Sequence, residues 1–207
     1  MADARIACRI CRAKGETPMN CRTDKSMYAP NETVCVYVDG LPAETVSLRL
    51  ILSHLEKTVL TEEIAAAERF SLLPPAKDGK GCLLEVQALD PDKALLADAF
   101  TAIDVSSAWT RFPRYGYVWD FTPGVDAQAK IETLCRFHIN GLQFYDWQYR
   151  HHRPVADGTS VWKDWSGRTV SGDAVRAYLS AAHEKGMACL AYNMIYAANQ
   201  TYLTDGS

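Results

Sequence analysis

The sequence lacks any apolar run that approaches the roughly 18 to 20 residues needed by a bilayer-spanning helix. It also lacks an excess of positive charge, since its net charge is -3, and neither nucleic acid nor a membrane is therefore an expected partner. The opening residues lack the apolar segment of a secretion signal, because Arg5, Arg9 and Arg12 interrupt them. What is present is typical of a globular protein with a real core: 48% hydrophobic and 23% charged residues.

An even set of cysteines is also missing, because the chain has 7. Cys135 falls in an amphipathic run and Cys189 in an apolar one, so reduced thiols are expected. Cys8 and Cys11 form a single C-x-x-C without the second pair that a zinc site normally needs. Residues 1–21 are therefore predicted to be a disordered leader, and no metal or cofactor is expected.

Aromatic residues divide the chain, because only Tyr28, Tyr37, Phe70 and Phe100 precede Trp109. Between residues 22 and 106 the pattern consists of short β-rich runs separated by Pro, Gly and Asn turns, which predicts an antiparallel β-sandwich. The predicted strands are Thr33–Val38, Val46–Leu52, Gly81–Leu89 and Ala99–Val105. Residues Glu62–Arg69 suit either a helical turn or a linking strand.

From residue 107 onward the period changes to that of alternating strands and helices. A first helix is predicted within Val125–Ile139, with Asp126 as its cap and Asn140-Gly141 as its stop. A second begins after Ser171 and ends at Gly186. The predicted strands are Tyr115–Phe121, Leu142–Trp147 and Met187–Asn193. The order β-α-β-α-β predicts parallel strands, and a complete (β/α)8 barrel would need roughly 250 residues.

Several segments together carry a family resemblance. The stretches Phe112–Tyr117 and Arg136–Pro154, which includes Tyr145-Asp146-Trp147-Gln148-Tyr149-Arg150-His151-His152, resemble the start of the catalytic barrel of glycoside hydrolase family 66. Thr23–Glu32 resembles the opening of that family's immunoglobulin-like domain, and Gly186–Asn193 resembles its third barrel strand. This family contains the dextranases and the cycloisomaltooligosaccharide glucanotransferases.

The resemblance implies an N-terminal fragment of a larger enzyme. Its implied architecture is multidomain β plus α/β, with an immunoglobulin-like β-sandwich at 22–106 followed by the first three strands of a (β/α)8 TIM barrel at 107–207. The implied activity is retaining, endo-acting cleavage of α-1,6-glucan (dextran), or its cyclisation by transglycosylation. The expected partner is α-1,6-glucan or an isomalto-oligosaccharide. Relatives usually work outside the cell, whereas no export signal is read here, so the localisation stays open.

Retaining glycosidases need two carboxyl groups about 5 Å apart. The resemblance places that Asp and Glu on later barrel strands, so no catalytic residue is expected within the chain, and the fragment alone is expected to be inactive. A carbohydrate-binding fragment without catalysis, or another (β/α)8 glycosidase family acting on α-1,4-glucan, are the competing hypotheses.

The ends of the three parallel strands should gather rings and polar groups suited to an uncharged sugar. The candidate substrate-binding residues are Trp119, Asp120, Asp146, Trp147, Tyr149, His151, Tyr192 and Asn193. Alternatives remain for several of them. Trp147 and Tyr145 could pack in the barrel core or against helices, and Asp146 could pair with an arginine such as Arg150. Tyr149, His151 and His152 suit sugar binding or loop packing better than metal binding.

Overall fold

The computed structural model describes residues 18–75, 77–194 and 202–205, which are mostly β-structure with few helices. The strands are β1 (Asn20–Thr23), β2 (Val34–Asp39), β3 (Ser47–His54), β4 (Lys57–Ala65), β5 (Arg69–Leu72), β6 (Lys80–Leu89), β7 (Leu95–Val105), β8 (Tyr115–Val118), β9 (Gly141–Phe144), β10 (Val161–Lys163), β11 (Thr169–Ser171) and β12 (Ala188–Ala191). The helices are α1 (Ala127–Arg136), α2 (Gly172–Glu184) and the short α3 (Tyr202–Asp205), with one 3₁₀ turn at Trp109–Arg111. No helix among these residues is long and apolar enough to cross a membrane.

Two antiparallel sheets form the first half of the chain, in the orders β1-β2-β5 and β4-β3-β6-β7. Side chains of a strand point alternately to its two faces, and one face of each sheet is apolar. Leu48, Leu50 and Leu52 of β3 are buried in this way, and they belong to one core that also contains Val34 and Val36 of β2. The shared core holds the two sheets face to face.

The sequence predictions for this half are confirmed at the level of strands, with ends shifted by a few residues. The segment Glu62–Arg69, for which the sequence allowed either a helical turn or a strand, contains the end of β4 and the start of β5 and no helix. Strand β1 starts inside the segment that was predicted to be a leader. Met19 and Cys21 of that segment are buried in the core, so this part of it belongs to the antiparallel half. Residues 1–17, with Cys8 and Cys11, lie outside the described residues.

The second half is built on a parallel sheet in the order β12-β9-β8, with β9 in the middle. Leu142 and Phe144 of β9 pack in one core with Ile131 of α1 and Tyr178 of α2, so the helices cover one face of this sheet. An antiparallel hairpin, β10 and β11, lies between β9 and α2. This hairpin was not predicted from the sequence.

Helix α1 begins where the sequence predicts but ends earlier. The Asp126 carboxylate accepts a hydrogen bond from the Ala129 N–H at 3.0 Å, which confirms the cap. The predicted stop at Asn140-Gly141 is wrong, because the left-handed residue is His138, with φ 54°. Ile139 N–H donates a hydrogen bond to the Leu134 carbonyl, and His138 N–H donates one to the Cys135 carbonyl. These are the two hydrogen bonds of a Schellman motif at the end of a helix.

Asn140 is buried, and its side chain links the start of β9 to the segment before β8. Its side chain accepts a hydrogen bond from Arg114 N–H at 2.9 Å and donates one to the Phe112 carbonyl at 2.7 Å. Gly141 is a β9 residue, where a Cβ would lie 2.8 Å from the Trp109 ring, so the close approach of that ring explains the glycine.

Helix α2 follows its prediction at both ends. Ser171 accepts a hydrogen bond from the Ala174 N–H, and Gly186 adopts φ 75° just after the helix. The parallel strands are shorter than predicted, ending at Val118, Phe144 and Ala191. The Asp146 backbone is left-handed, with φ 51°, so the chain turns away from the sheet there.

The two halves are joined along a polar seam. Ser26 N–H of the first half donates a hydrogen bond to the Lys185 carbonyl of the second half at 3.1 Å. Asp104 is buried and paired with Arg114, from the segment that leads into β8. These contacts attach the amino-terminal ends of the parallel strands to the antiparallel sheets. The carboxyl ends of the parallel strands take no part in them.

Candidate functional site

The face of the parallel sheet opposite the helices carries a row of aromatic side chains, which we call the aromatic row: Tyr117, Tyr145 and Tyr192. The ring centroids of Tyr145 and Tyr192 are 4.7 Å apart, and those of Tyr117 and Tyr145 are 6.5 Å apart. Tyr117 is 67% exposed and Tyr145 is 42% exposed. The row therefore presents ring faces and hydroxyl groups to solvent at the carboxyl ends of the strands.

The row follows from strand alternation. Val118, Leu142 and Phe144 point to the helices, so their neighbours along each strand point the other way. The hydrogen bonds continue one residue past the strands, from Tyr145 N–H to the Val118 carbonyl and from Tyr192 N–H to the Phe144 carbonyl. These bonds align the ends of all three strands.

Asp146 is held by Arg168, not by Arg150. Its Oδ2 atom accepts a hydrogen bond from Arg168 Nη2 at 2.9 Å, while Arg168 Nε donates to Asp164 Oδ2 at 2.7 Å. Arg150 instead donates to the backbone carbonyls of Tyr149 and Lys163. One guanidinium therefore links the turn after β9 to the β10–β11 hairpin.

Asp164 anchors this link from inside the hairpin turn. Its side chain is fully buried, and its Oδ1 atom accepts hydrogen bonds from Ser166 and from the Arg168 N–H. Burial alone would raise the pKa of this carboxyl, but the hydrogen bonds from Arg168 and Ser166 outweigh it and lower the pKa. Asp164 is therefore charged at neutral pH.

Asp120 is bonded locally. Its carboxylate accepts hydrogen bonds from Lys130 Nζ of α1 at 2.8 Å and from the Thr122 hydroxyl. The hydrogen bond from Lys130 is the larger cause and the one from Thr122 adds to it, and together they lower the pKa of Asp120 to about 2. Asp120, Lys130 and Trp119 line a cavity of about 270 Å³ beside β8, into which the buried Tyr178 also faces.

Trp147 packs toward the helices. With Val175 and Leu179 of α2 it lines a small apolar cavity of about 130 Å³, and its Nε1–H donates to the Tyr192 carbonyl at 3.2 Å. This is the helix-packing arrangement that the sequence left as an alternative. The ring ties the end of β9 to the end of β12.

Gln148 makes a second tie to the same carbonyl. Its side chain is only 2% exposed, and its Nε2 atom lies 3.2 Å from the Tyr192 oxygen and 3.1 Å from His151 Nδ1. Its Oε1 atom is buried and has no hydrogen-bond partner among the residues that the structure describes. Tyr149 is half-buried against the helix-side core, with the Arg150 guanidinium 4.1 Å above its ring.

Of the predicted residues, Trp147 contacts Tyr192 directly, and Tyr192 also contacts Tyr145 and Gln148, which were not in the predicted set. Asn193 follows Tyr192 and is exposed, and Asp120 is turned toward α1 instead. Sequence reasoning did not select Gln148, Asp164 or Arg168. The run Asp164-Trp165-Ser166-Gly167-Arg168 carried a usable signal, since Asp and Ser before Gly favour a tight turn closed by side-chain bonds.

Over the described ranges, no three His, Cys, Asp or Glu side chains lie together as a metal site would require. The five cysteines in these ranges, Cys21, Cys35, Cys82, Cys135 and Cys189, are free thiols.

Comparison with known proteins gives a consistent set of relatives. Two cycloisomaltooligosaccharide glucanotransferases of Niallia circulans are each 32% identical to the chain, over 87% of its length. The chain spans about one fifth of their length, because the match covers 20% of each. A crystal structure of a Paenibacillus sp. cycloisomaltooligosaccharide glucanotransferase with cycloisomaltoheptaose matches with a TM-score of 0.77 and 33% identity, over 90% of this chain and 29% of that one.

The sequence model of glycosyl hydrolase family 66 matches residues 23–207, which is most of the chain. The resemblance noted in the sequence is thereby confirmed. This chain belongs to glycosyl hydrolase family 66.

Proposed function

We propose that the chain is the N-terminal part of an enzyme that acts on α-1,6-glucan by a retaining mechanism. In this proposal the two antiparallel sheets are an immunoglobulin-like sandwich ending near residue 106, and β8, β9 and β12 are the first strands of a (β/α)8 barrel. The parallel order of β8, β9 and β12, with α1 and α2 between them in the chain and packed on one sheet face, supports the barrel assignment. The sandwich assignment is supported by two packed antiparallel sheets with one core.

The observation that carries the proposal is the aromatic row at the carboxyl ends of parallel strands. Active sites of (β/α)8 enzymes are built at this end of the barrel. Aromatic faces pack on the C–H patches of a pyranose, while hydroxyl, amide and imidazole groups bind its hydroxyls, and this mixture suits a neutral sugar polymer. The family relatives named for cyclic isomalto-oligosaccharides support α-1,6-glucan as the substrate.

We assign two roles within the site. Trp119, Tyr192, His151 and Asn193 are exposed or half-exposed and would contact the glucan, with Tyr149 beside them. Asp120, Asp146 and Trp147 already hold protein partners, so they would set the shape of the floor.

The catalytic carboxyl pair is proposed to lie outside these 207 residues. Asp146 and Asp164 are near each other, but both are bonded to one guanidinium and are occupied by it. Neither is placed as a free nucleophile facing a separate acid, as the retaining mechanism requires. We therefore expect no release of reducing sugar when the purified chain is incubated with dextran, and measurable release would contradict this assignment.

Cyclising transfer is a second candidate for the whole enzyme, and the names of the relatives favour it. The full-length protein should be incubated with dextran and its products separated by chromatography. Linear oligosaccharides with new reducing ends would support hydrolysis. Rings without reducing ends would support transfer.

Sugar binding by the chain itself is tested by titrating isomaltoheptaose while tryptophan fluorescence is recorded. Binding that is weakened at least tenfold by Tyr192→Ala, and not by Phe100→Ala on the antiparallel half, would support the site. Phe100 is a suitable control because it is 50% exposed but lies outside the aromatic row. Equal binding by both variants, or preference for a maltoheptaose of α-1,4 linkage, would overturn the proposal.

A further inference from the structure

The buried amide of Gln148 has only one orientation that its surroundings allow. The Tyr192 backbone carbonyl is an obligate acceptor, and it lies 3.2 Å from Gln148 Nε2. Turning the amide over would place Oε1 against that carbonyl oxygen, which is repulsive. The NH₂ group therefore faces Tyr192, although this leaves Oε1 buried without a donor from the described part of the chain.

The orientation of the amide determines the state of His151. The second Gln148 N–H points to His151 Nδ1, at 3.1 Å, so this ring nitrogen must accept the hydrogen bond. A neutral imidazole that accepts at Nδ1 carries its proton on Nε2. His151 is half-buried, and its Nε2–H is then the ring's hydrogen-bond donor.

We propose that Gln148 is a positioning residue that holds His151 as a neutral Nε2–H tautomer, so that His151 donates a hydrogen bond to an oxygen of the glucan and does not act as a base. The contact with the glucan rests on the proposed function, whereas the tautomer does not. A lone pair on Nδ1 is covered by the Gln148 amide, and Nε2 is already protonated. The ring thus selects acceptor oxygens, such as the hydroxyl, ring or bridging oxygens of a glucose unit.

The Oε1 atom, unpaired within the described ranges, makes the buried Gln148 amide less favourable for stability than an apolar side chain, so the amide needs another explanation. A buried oxygen without a donor destabilises the fold, and an apolar side chain of the same shape would avoid that penalty. What the amide provides in exchange is two directed N–H groups, one to the end of β12 and one to His151. Trp147 already donates to the same carbonyl, so strand anchoring alone does not require Gln148.

The test is a long-range ¹H–¹⁵N spectrum of the imidazole rings in the 207-residue chain labelled on histidine, at a pH where His151 is neutral. The His151 signals are identified by their loss in His151→Asn. The expected pattern is that of the Nε2–H tautomer. In Gln148→Glu the carboxylate accepts from Nδ1–H, so the pattern should reverse to the Nδ1–H tautomer, while Gln148→Met should give a mixture. Gln143→Met, at the glutamine within β9, is the matched control and should leave the pattern unchanged.

A Nδ1–H pattern in the unaltered chain, or a pattern that Gln148→Met does not change, would overturn the inference. Isomaltoheptaose is then added to the labelled chain. Movement of the His151 Nε2 signal with the tautomer retained supports the donor role. If the sugar binds by fluorescence but the Nε2 signal does not move, the donor role is wrong and the proposed function stands. If no sugar binds, the proposed function fails while the tautomer result still decides the role of Gln148.

Discussion

Arg168 is the residue on which two buried carboxylates depend. Asp164 is fully buried and the Asp146 side chain is 10% exposed, so each would be costly to bury without a partner. The guanidinium fork suits this task because its N–H groups lie in one plane and reach both acceptors at once, which a lysine ammonium cannot do in the same way.

We expect Arg168→Met to destabilise the chain. Removing one partner of a buried ion pair costs about 3 to 5 kcal/mol, and we reduce this to roughly 2 to 3 because Arg168 is itself 37% exposed. The free energy of unfolding in urea measures the effect. Arg176→Met is the control, since its pair with Asp173 is largely exposed, and it should change stability by less than about 0.5 kcal/mol. Equal losses for the two variants would contradict the role of Arg168.

Asp120 gives a prediction for acid stability. Its pKa is lowered from 3.8 to about 2 by Lys130 and Thr122. A carboxyl with a depressed pKa in the folded state contributes stability that is present above its unfolded pKa and is lost as the pH falls through the folded one. We therefore expect unaltered protein to be more stable than Asp120→Asn at pH 5, and the difference to shrink as the pH falls from 3.8 to about 2.

Urea unfolding at several pH values measures this difference. A pH-independent gap for Asp120→Asn would show that the ion pair with Lys130 does not set the acid response.

At the scale of elements, α1 shows that one end of a helix is easier to predict than the other. Its start depends on a side-chain bond from Asp126, which the residue type indicates directly. Its end depends on a left-handed residue, and Asn140-Gly141 was the obvious choice by residue type. His138 takes that conformation because Asn140 is recruited by the carbonyl of Phe112 and the N–H of Arg114, which come from a distant segment.

The cap itself gives a prediction. Asp126→Ala removes the acceptor for the Ala129 N–H and should cost about 1 kcal/mol of stability. Asp126→Asn keeps an oxygen at the same position and should retain most of that stability. Thermal unfolding of the three proteins separates these outcomes, and an equal loss for Ala and Asn would point to the charge of Asp126 and not to its hydrogen bond.

At the scale of the whole molecule, the aromatic face of the parallel sheet stands out. Tyr115, Tyr117 and Leu190 are all substantially exposed, and β8 and β12 are edge strands of their sheet in the described residues. Exposed apolar faces and open edges favour association between chains. In the proposed barrel, later strands would pair with these edges.

We expect the isolated chain to associate through this face. Its apparent mass in size-exclusion chromatography should rise with concentration, and Tyr117→Ser should weaken the rise. Phe100→Ser is the matched control, because Phe100 is similarly exposed on the antiparallel half, and it should have no effect. A monomer at all concentrations, or an equal effect of both variants, would contradict the role of this face.

The sequence by itself determined the family, most strands of both halves and the starts of α1 and α2, whereas the sugar site that it predicts at the ends of the parallel strands stays a prediction. These features rest on local signals: alternation, helical periodicity, capping residues and an extended motif around Tyr145-Asp146-Trp147. Only the tertiary structure decided the partner of Asp146, the side to which Trp147 turns, and the contact of Gln148 with Tyr192 and His151. Each of these depends on how a loop folds back across neighbouring strands, and the spacing of residues along one chain does not specify which distant atoms meet.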